Sequence, residues 1–145
     1  MIGLRIRDVE LENEDKGFVY CEDECGNMYR FPVTYKKARI IALLLADAYV
    51  RQGNMYEFIV DLLNSSNLYI ESLIIEDGKD AKAFANIADS NGNRKQFYIS
   101  IPDALVLSLL ANRDLYIDNK ADFIFVDELE DIAWYRFLKE LDLCR

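Results

Sequence analysis

Carboxylates are the side chains in this sequence with the clearest capacity for chemistry. The chain has 26 acidic residues among 145 and contains no histidine, which excludes Ser-His-Asp triads, Cys-His dyads and histidine-ligated metals. Carboxylates that converge on one or two hard cations can activate water and stabilise a leaving oxygen, so metal-assisted hydrolysis is the chemistry open to such a chain. The candidate acids are Glu57, Asp61, Glu76, Asp77, Asp80, Asp89 and Asp103.

Structural roles compete with catalytic roles at these positions. Asp103 follows Ser100 by three residues, which is the spacing of a capping box at the start of a helix. Glu57 falls in the first turn of another predicted helix, where the helix dipole favours an acid. Because an acidic protein offers many accidental clusters of carboxylates, we expect capping and dipole roles to outnumber catalytic ones.

The cysteines are a second group that could do chemistry. Cys21 and Cys25 flank three acidic residues and could form a metal clip or a redox pair, but this spacing without a second pair is a weak zinc signature. Reduced cysteines with a structural role are favoured. The odd total of three cysteines and the lack of an export signal predict a cytoplasmic protein. No apolar run approaches the ~18 residues that span a membrane.

The charge of the chain bears on its partners. A formal net charge of −9 repels a phosphate backbone, whereas most nucleic-acid binders present a basic face. The densest basic group is Lys36, Lys37 and Arg39, so a local contact with single-stranded nucleic acid stays open. A charge of this size otherwise serves solubility.

Hydrophobic periodicity predicts one α+β domain of ordinary size at residues 1–118, followed by a C-terminal extension at 119–145. In the extension, a strand is predicted at 123–126 and a helix at 127–141. In the domain, strands are predicted at 2–11, 17–21, 28–33, 68–75, 81–88, 94–99 and 115–117, and helices at 35–50, 55–64 and 101–112.

An internal repeat underlies this order of elements. A shift of 66 residues aligns the sequence with itself without a gap, and every element type stays in phase, including the hairpin turn and the helix cap. We therefore expect residues 2–32 to superpose on residues 68–98. Matching pairs are Phe18 with Phe84, Gly26 with Gly92, Asn27 with Asn93, Phe31 with Phe97 and Ala38 with Ala104.

The repeat predicts a duplicated β-β-β-α unit, with copies at about 2–50 and 68–112 joined by a linking helix at about 55–65. Both repeat helices are apolar on nearly every side, which is typical of helices buried on every side. Either they lie between layers of sheet, or a second subunit covers one face. Because two-fold dimers are the commonest oligomers, we expect a homodimer.

Several segments resemble the bifunctional nuclease family. The strand and turn at 26–33 resemble the strand that leads into that family's alanine-rich helix. Residues 55–63 are similar to its threonine-histidine-aspartate-leucine-leucine helix start, 101–107 to its serine-aspartate-alanine helix, and 115–117 to its closing strand. The resemblance covers residues 2–118 in the family's order.

This resemblance implies a nuclease acting on single-stranded DNA or RNA, with Mg²⁺ or Mn²⁺ as the cation and with Glu57 and Asp103 as its catalytic residues. The chain departs from the family at polar positions, because Lys37 stands in place of a glutamate, Tyr56 in place of a histidine and Pro102 in place of a serine. These departures imply that the activity is weak or lost. The alternative is a non-catalytic dimeric module that binds a ligand or protein and retains the fold.

Overall fold

The structure is a computed structural model that describes residues 1–76 and 82–118. These residues form a seven-stranded sheet and three helices, which confirms the α+β class. The strand expected at 123–126 and the helix expected at 127–141 lie outside the described residues. The strands are β1 (Ile2–Leu11), β2 (Lys16–Asp23), β3 (Met28–Thr34), β4 (Leu68–Glu76), β5 (Lys82–Asp89), β6 (Arg94–Ile99) and β7 (Asp114–Ile117), and the helices are α1 (Tyr35–Leu45), α2 (Met55–Ser65) and α3 (Ile101–Leu110).

The C-terminal boundary of α1 differs from the prediction. The sequence predicts a helix through residue 50, because its apolar run continues, but the helix ends at Leu45. Asp47 has a φ of 54°, so the chain leaves the helix in the left-handed conformation that often ends helices. The N–H groups of Asp47 and Ala48 then bond to carbonyls of the last turn. None of the described helices is long and apolar enough to cross a membrane.

The sheet has the strand order β3-β2-β1-β7-β4-β5-β6. β7 lies in the middle, antiparallel to β1 and parallel to β4. Three antiparallel strands therefore extend outward on each side of β7, and each set of three is followed by a helix in the chain. The two outer edges of the sheet are β3 and β6.

The two hairpins in these halves have the same hydrogen bonds. The Asp23 carboxylate accepts from the backbone N–H and the side-chain amide of Asn27, at 3.0 and 2.9 Å. The Asp89 carboxylate accepts the same two bonds from Asn93, at 2.9 and 3.1 Å. Each asparagine follows a glycine with a φ of 84°, Gly26 and Gly92, a conformation that glycine adopts without steric cost.

The first strands of the two halves do not follow the 66-residue shift. Ile6 pairs with Cys21, and Ile70 pairs with Ile87. The second members of these pairs are 66 residues apart, but the first members are 64 apart, and a β-bulge follows Ile6 and Ile70 in both strands. The expected superposition of 2–32 on 68–98 is therefore wrong for the first strand, because the second half has two more residues between its bulge and its second strand.

The hydrophobic core lies between one face of the sheet and the helices. Val19 and Leu73 from the sheet and Ile41 and Leu105 from the helices are fully buried. Six of the ten residues of α3 are buried, but in α1 only Ala38 and Ile41 are. The expectation of burial on every side does not hold for α1, whose Leu45 is 36% exposed.

Candidate functional site

The first turns of all three helices converge on one carboxylate. Asp103 lies in the first turn of α3, Tyr56 in that of α2 and Lys37 in that of α1. The Tyr56 hydroxyl donates a hydrogen bond to Asp103 Oδ1. Lys37 Nζ lies 3.0 Å from the same oxygen. We call these three residues the helix-start cluster.

Helix caps fix the backbone on which these side chains stand. The Thr34 hydroxyl accepts from the N–H of Lys37 at the start of α1, and the Ser100 hydroxyl accepts from the N–H of Asp103 at the start of α3, at 3.5 and 3.3 Å. Each cap satisfies a backbone donor that has no partner within its helix. The expected capping role of Ser100 is confirmed, and the carboxylate of Asp103 is directed to the helix-start cluster.

The electrostatics of the helix-start cluster favour an ionised Asp103. Partial burial opposes the charged form, but hydrogen bonds from Tyr56 and Ser100 and the Lys37 ammonium outweigh burial and lower the pKa of Asp103. Burial, together with the neighbouring Asp103 carboxylate, raises the pKa of Tyr56 well above its usual value. At neutral pH the cluster therefore holds a carboxylate, an ammonium and a neutral phenol, with no net charge.

Glu57 has a different role, because its carboxylate is surrounded by the loop that precedes α2. The residue is 3% exposed. Its carboxylate accepts bonds from the Tyr49 hydroxyl and, at 2.8 Å each, from the N–H groups of Gln52 and Gly53. The hydrogen bond from Tyr49 and those backbone bonds lower the pKa of Glu57. These partners all belong to the loop, so Glu57 organises the connection between α1 and α2.

The remaining candidate acids are dispersed. Asp61 is paired with Arg51 on the exposed side of α2, and Asp89 closes the second hairpin. Glu76 ends β4, whereas Asp77 and Asp80 lie outside the described residues. Across residues 1–76 and 82–118, no three His, Cys, Asp or Glu residues are placed to hold a metal ion. The described carboxylates therefore do not fit a divalent cation.

The two cysteines of the first hairpin do not pair with each other. Cys21 is a free, fully buried thiol, and burial raises its pKa. Cys25 is disulfide-bonded, so the reduced state expected from the sequence holds for Cys21 and is wrong for Cys25. The interpretation of these two residues as a metal clip or redox pair is excluded.

A cleft of about 600 Å³ opens between α1 and the loop before α2. Lys36 and Arg39 line it from α1, and Gln52 and Asn54 line it from the loop. Of the basic group recognised in the sequence, two residues therefore face the cleft, while Lys37 binds Asp103. The Lys37–Asp103 contact was missed by the sequence reasoning, although the 66-residue shift places both residues at one position of the repeat.

The fold and the site define a class of protein: a seven-stranded α+β domain whose three helix starts meet at one ion pair. No protein-family model matches the chain, and no curated protein matches it in sequence. The function must therefore be argued from the described residues.

Proposed function

We propose that this chain is a non-catalytic, dimeric binding module of the cytoplasm, built on the fold of the bifunctional nuclease family. The observation that carries the proposal is the state of Asp103. Its carboxylate is ionised, accepts a hydrogen bond from Tyr56 and is neutralised by Lys37. A carboxylate engaged in this way has no free role as a general base or as a metal ligand.

Cation binding at the helix-start cluster is opposed by Lys37. A hard cation needs several oxygen ligands around it, and here the ammonium of Lys37 stands 3.0 Å from the only carboxylate oxygen of the cluster. A divalent cation at the same oxygen would meet a like charge at close range, which is strongly unfavourable. Glu57 cannot supply the missing ligand, because its oxygens already accept bonds from the loop.

We also propose that the chain arose by internal duplication of a β-β-β-α unit. The matched carboxylate bonds of Asp23 and Asp89 support this origin, as do the helix caps at Thr34 and Ser100. The same order of strands outward from β7 supports it too. The duplication agrees with the order of elements that the family resemblance implies.

A homodimer through the edge strand β6 follows from a difference between the two halves. Phe31 on β3 is 2% exposed, whereas Phe97, at the same position of β6, is 46% exposed. The next position is Pro32 on β3 and Tyr98 on β6, and Tyr98 is 65% exposed. Proline protects an edge strand because it cannot donate to a further strand. β6 lacks that protection and presents aromatic side chains to a partner.

Antiparallel pairing of β6 with its copy also suits the charges on the strand. Arg94 and Lys95 lie at one end of β6, and Tyr98 and Ile99 lie at the other. Pairing about the centre of the strand sets the basic end of one copy against the apolar end of the other, so like charges do not meet. Lys95 already lies over the ring of Phe97 in its own chain, 5.4 Å from the centroid.

Metal-dependent cleavage of single-stranded DNA or RNA is the second candidate function. The observation that favours it is the cleft beside the start of α1, where Lys36 and Arg39 could contact phosphates. Any such activity would be weak, because removal of one positioned acid–base group typically lowers the rate by about 10²–10⁴.

Titration calorimetry with Mn²⁺ tests the proposal directly. We expect no stoichiometric binding by the wild-type chain, and an Asp103→Asn variant to give the same trace. Binding of one Mn²⁺ per chain that the Asp103→Asn substitution abolishes would overturn the proposal in favour of the second candidate.

A further inference from the structure

We propose that the exposed apolar face of α2 is the docking site of the chain's own C-terminal segment, residues 127–141. Four large apolar residues make up this face, which we call the α2 stripe. They are spaced as i, i+3, i+4 and i+7, so they lie on one side of the helix. Their exposed fractions are 67% for Met55, 56% for Phe58, 38% for Ile59 and 52% for Leu62.

The α2 stripe is not the face by which α2 joins the core. Tyr56, Val60 and Leu63 pack against the buried cluster from the other side of the helix. A helix that is apolar on both sides normally has both sides covered. A contiguous apolar patch of this kind marks a surface for association, so the stripe calls for an occupant.

Residues 127–141 have the composition of such an occupant. Their apolar residues recur at the spacing of one helix face, and four acids occur between residues 127 and 131. The acids complement the basic residues near the start of α2, where Arg51 is exposed and Lys36 and Arg39 line the cleft. The apolar residues of the segment are Leu129, Ile132, Ala133, Phe137, Leu138 and Leu141.

The segment leaves the described part of the chain within reach of the stripe. The N–H of Asp118 donates to the carbonyl of Ile75, at 2.9 Å, where β7 ends beside β4. α2 packs against β4 and α3. The roughly ten residues between Asp118 and the segment span up to about 35 Å when extended, and α2 itself is only about 16 Å long. A tether of this length gives an effective concentration in the millimolar range, which favours the chain's own segment over a second copy.

Trp134 provides the readout, because it is the only tryptophan of the chain and lies in the segment. The experiment measures its emission maximum and its quenching by acrylamide in the full-length protein. It compares the wild type with a Phe58→Ser/Leu62→Ser variant and with a matched control, Tyr98→Ser, which removes an equally exposed aromatic from β6. Circular dichroism checks that each variant keeps its secondary structure, which substitution of exposed side chains should not disturb.

We expect Trp134 to be shielded in the wild type and in Tyr98→Ser. In the stripe variant we expect a red-shifted emission and quenching increased several-fold. Shielding should not change over a hundredfold range of protein concentration. Shielding that grows with concentration would assign the stripe to a second copy and overturn the proposal. Equal quenching of Trp134 in the wild type and the stripe variant would also overturn it. So would a Tyr98→Ser control that exposes Trp134 as fully as the stripe variant does.

Discussion

Lys37 and Asp103 occupy the same position in the two halves of the chain and bind each other, with Nζ 3.0 Å from Oδ1. Each is the third residue after the capping residue of its helix, Thr34 or Ser100. Two identical acids at these positions would repel, whereas a lysine and an aspartate attract. The contact between the halves is therefore stabilised by their divergence at this position.

The first prediction is that exchanging the charges of this pair preserves it. Lys37→Asp alone places two carboxylates together, and Asp103→Lys alone places two ammonium groups together, so both should destabilise the protein. Because both side chains are about one-third exposed, solvent screens the pair, and we expect each loss to be about 1 kcal/mol. The double variant should recover most of that loss in urea denaturation. Losses that simply add would contradict the pairing.

The second prediction concerns pH. The pKa of Asp103 is lowered in the folded chain, so the group favours folding above the pKa it has when unfolded, about 3.9. That contribution is lost as pH falls from there through the lowered folded value. The stability difference between the wild type and Asp103→Asn should therefore be constant near neutral pH and shrink at acidic pH. A difference that stays constant down to pH 3 in urea titrations would count against the ionised Asp103.

The third prediction concerns Glu57. Glu57→Gln removes the charge and one of the acceptors that hold Gln52 and Gly53. Hydrogen exchange at these two amides should accelerate, while amides in α3 should keep their protection. Asp61→Asn is the matched control, because it removes an acid from the exposed side of the same helix. Unchanged exchange of the two loop amides in Glu57→Gln would show that the carboxylate does not organise the loop.

The fourth prediction concerns the dimer. Light scattering of the wild type should give twice the 16.9 kDa of one chain. Tyr98→Lys places a charge on β6 and should yield the monomer. Met28→Lys is the control, since Met28 is an exposed apolar residue of the opposite edge strand β3. A wild type that remains at 16.9 kDa at micromolar concentration, or a control that dissociates equally, would refute the proposed edge.

The order of elements could be predicted because local signals carried it. The turn asparagines and glycines marked both hairpins, and Ser100 marked the start of α3. The end of α1 could not be predicted from the pattern, because apolar residues continue past Leu45 and the left-handed Asp47 is not a residue that breaks the periodicity. The offset of the first strand depends on a β-bulge, which has no signature in the sequence.

The candidate site was predicted only as a set of residue types. Asp103 and Tyr56 were both singled out, but their contact joins residues 47 positions apart and depends on how α2 packs against α3. The separation of Glu57 from this cluster depends on Gly53, whose φ of 71° turns the loop back onto the carboxylate. Tertiary packing, rather than local propensity, determines both arrangements.

The central claim is that Asp103 is held in an ion pair and performs no metal-dependent hydrolysis. The most direct test is turnover of single-stranded RNA and DNA oligonucleotides with Mg²⁺ or Mn²⁺, with and without a chelator, by the wild type, Asp103→Asn and Glu57→Gln. The account predicts no cleavage by the wild type above that of Asp103→Asn, in any metal. Chelator-sensitive cleavage by the wild type that Asp103→Asn abolishes, with an unchanged fold by circular dichroism, would contradict it.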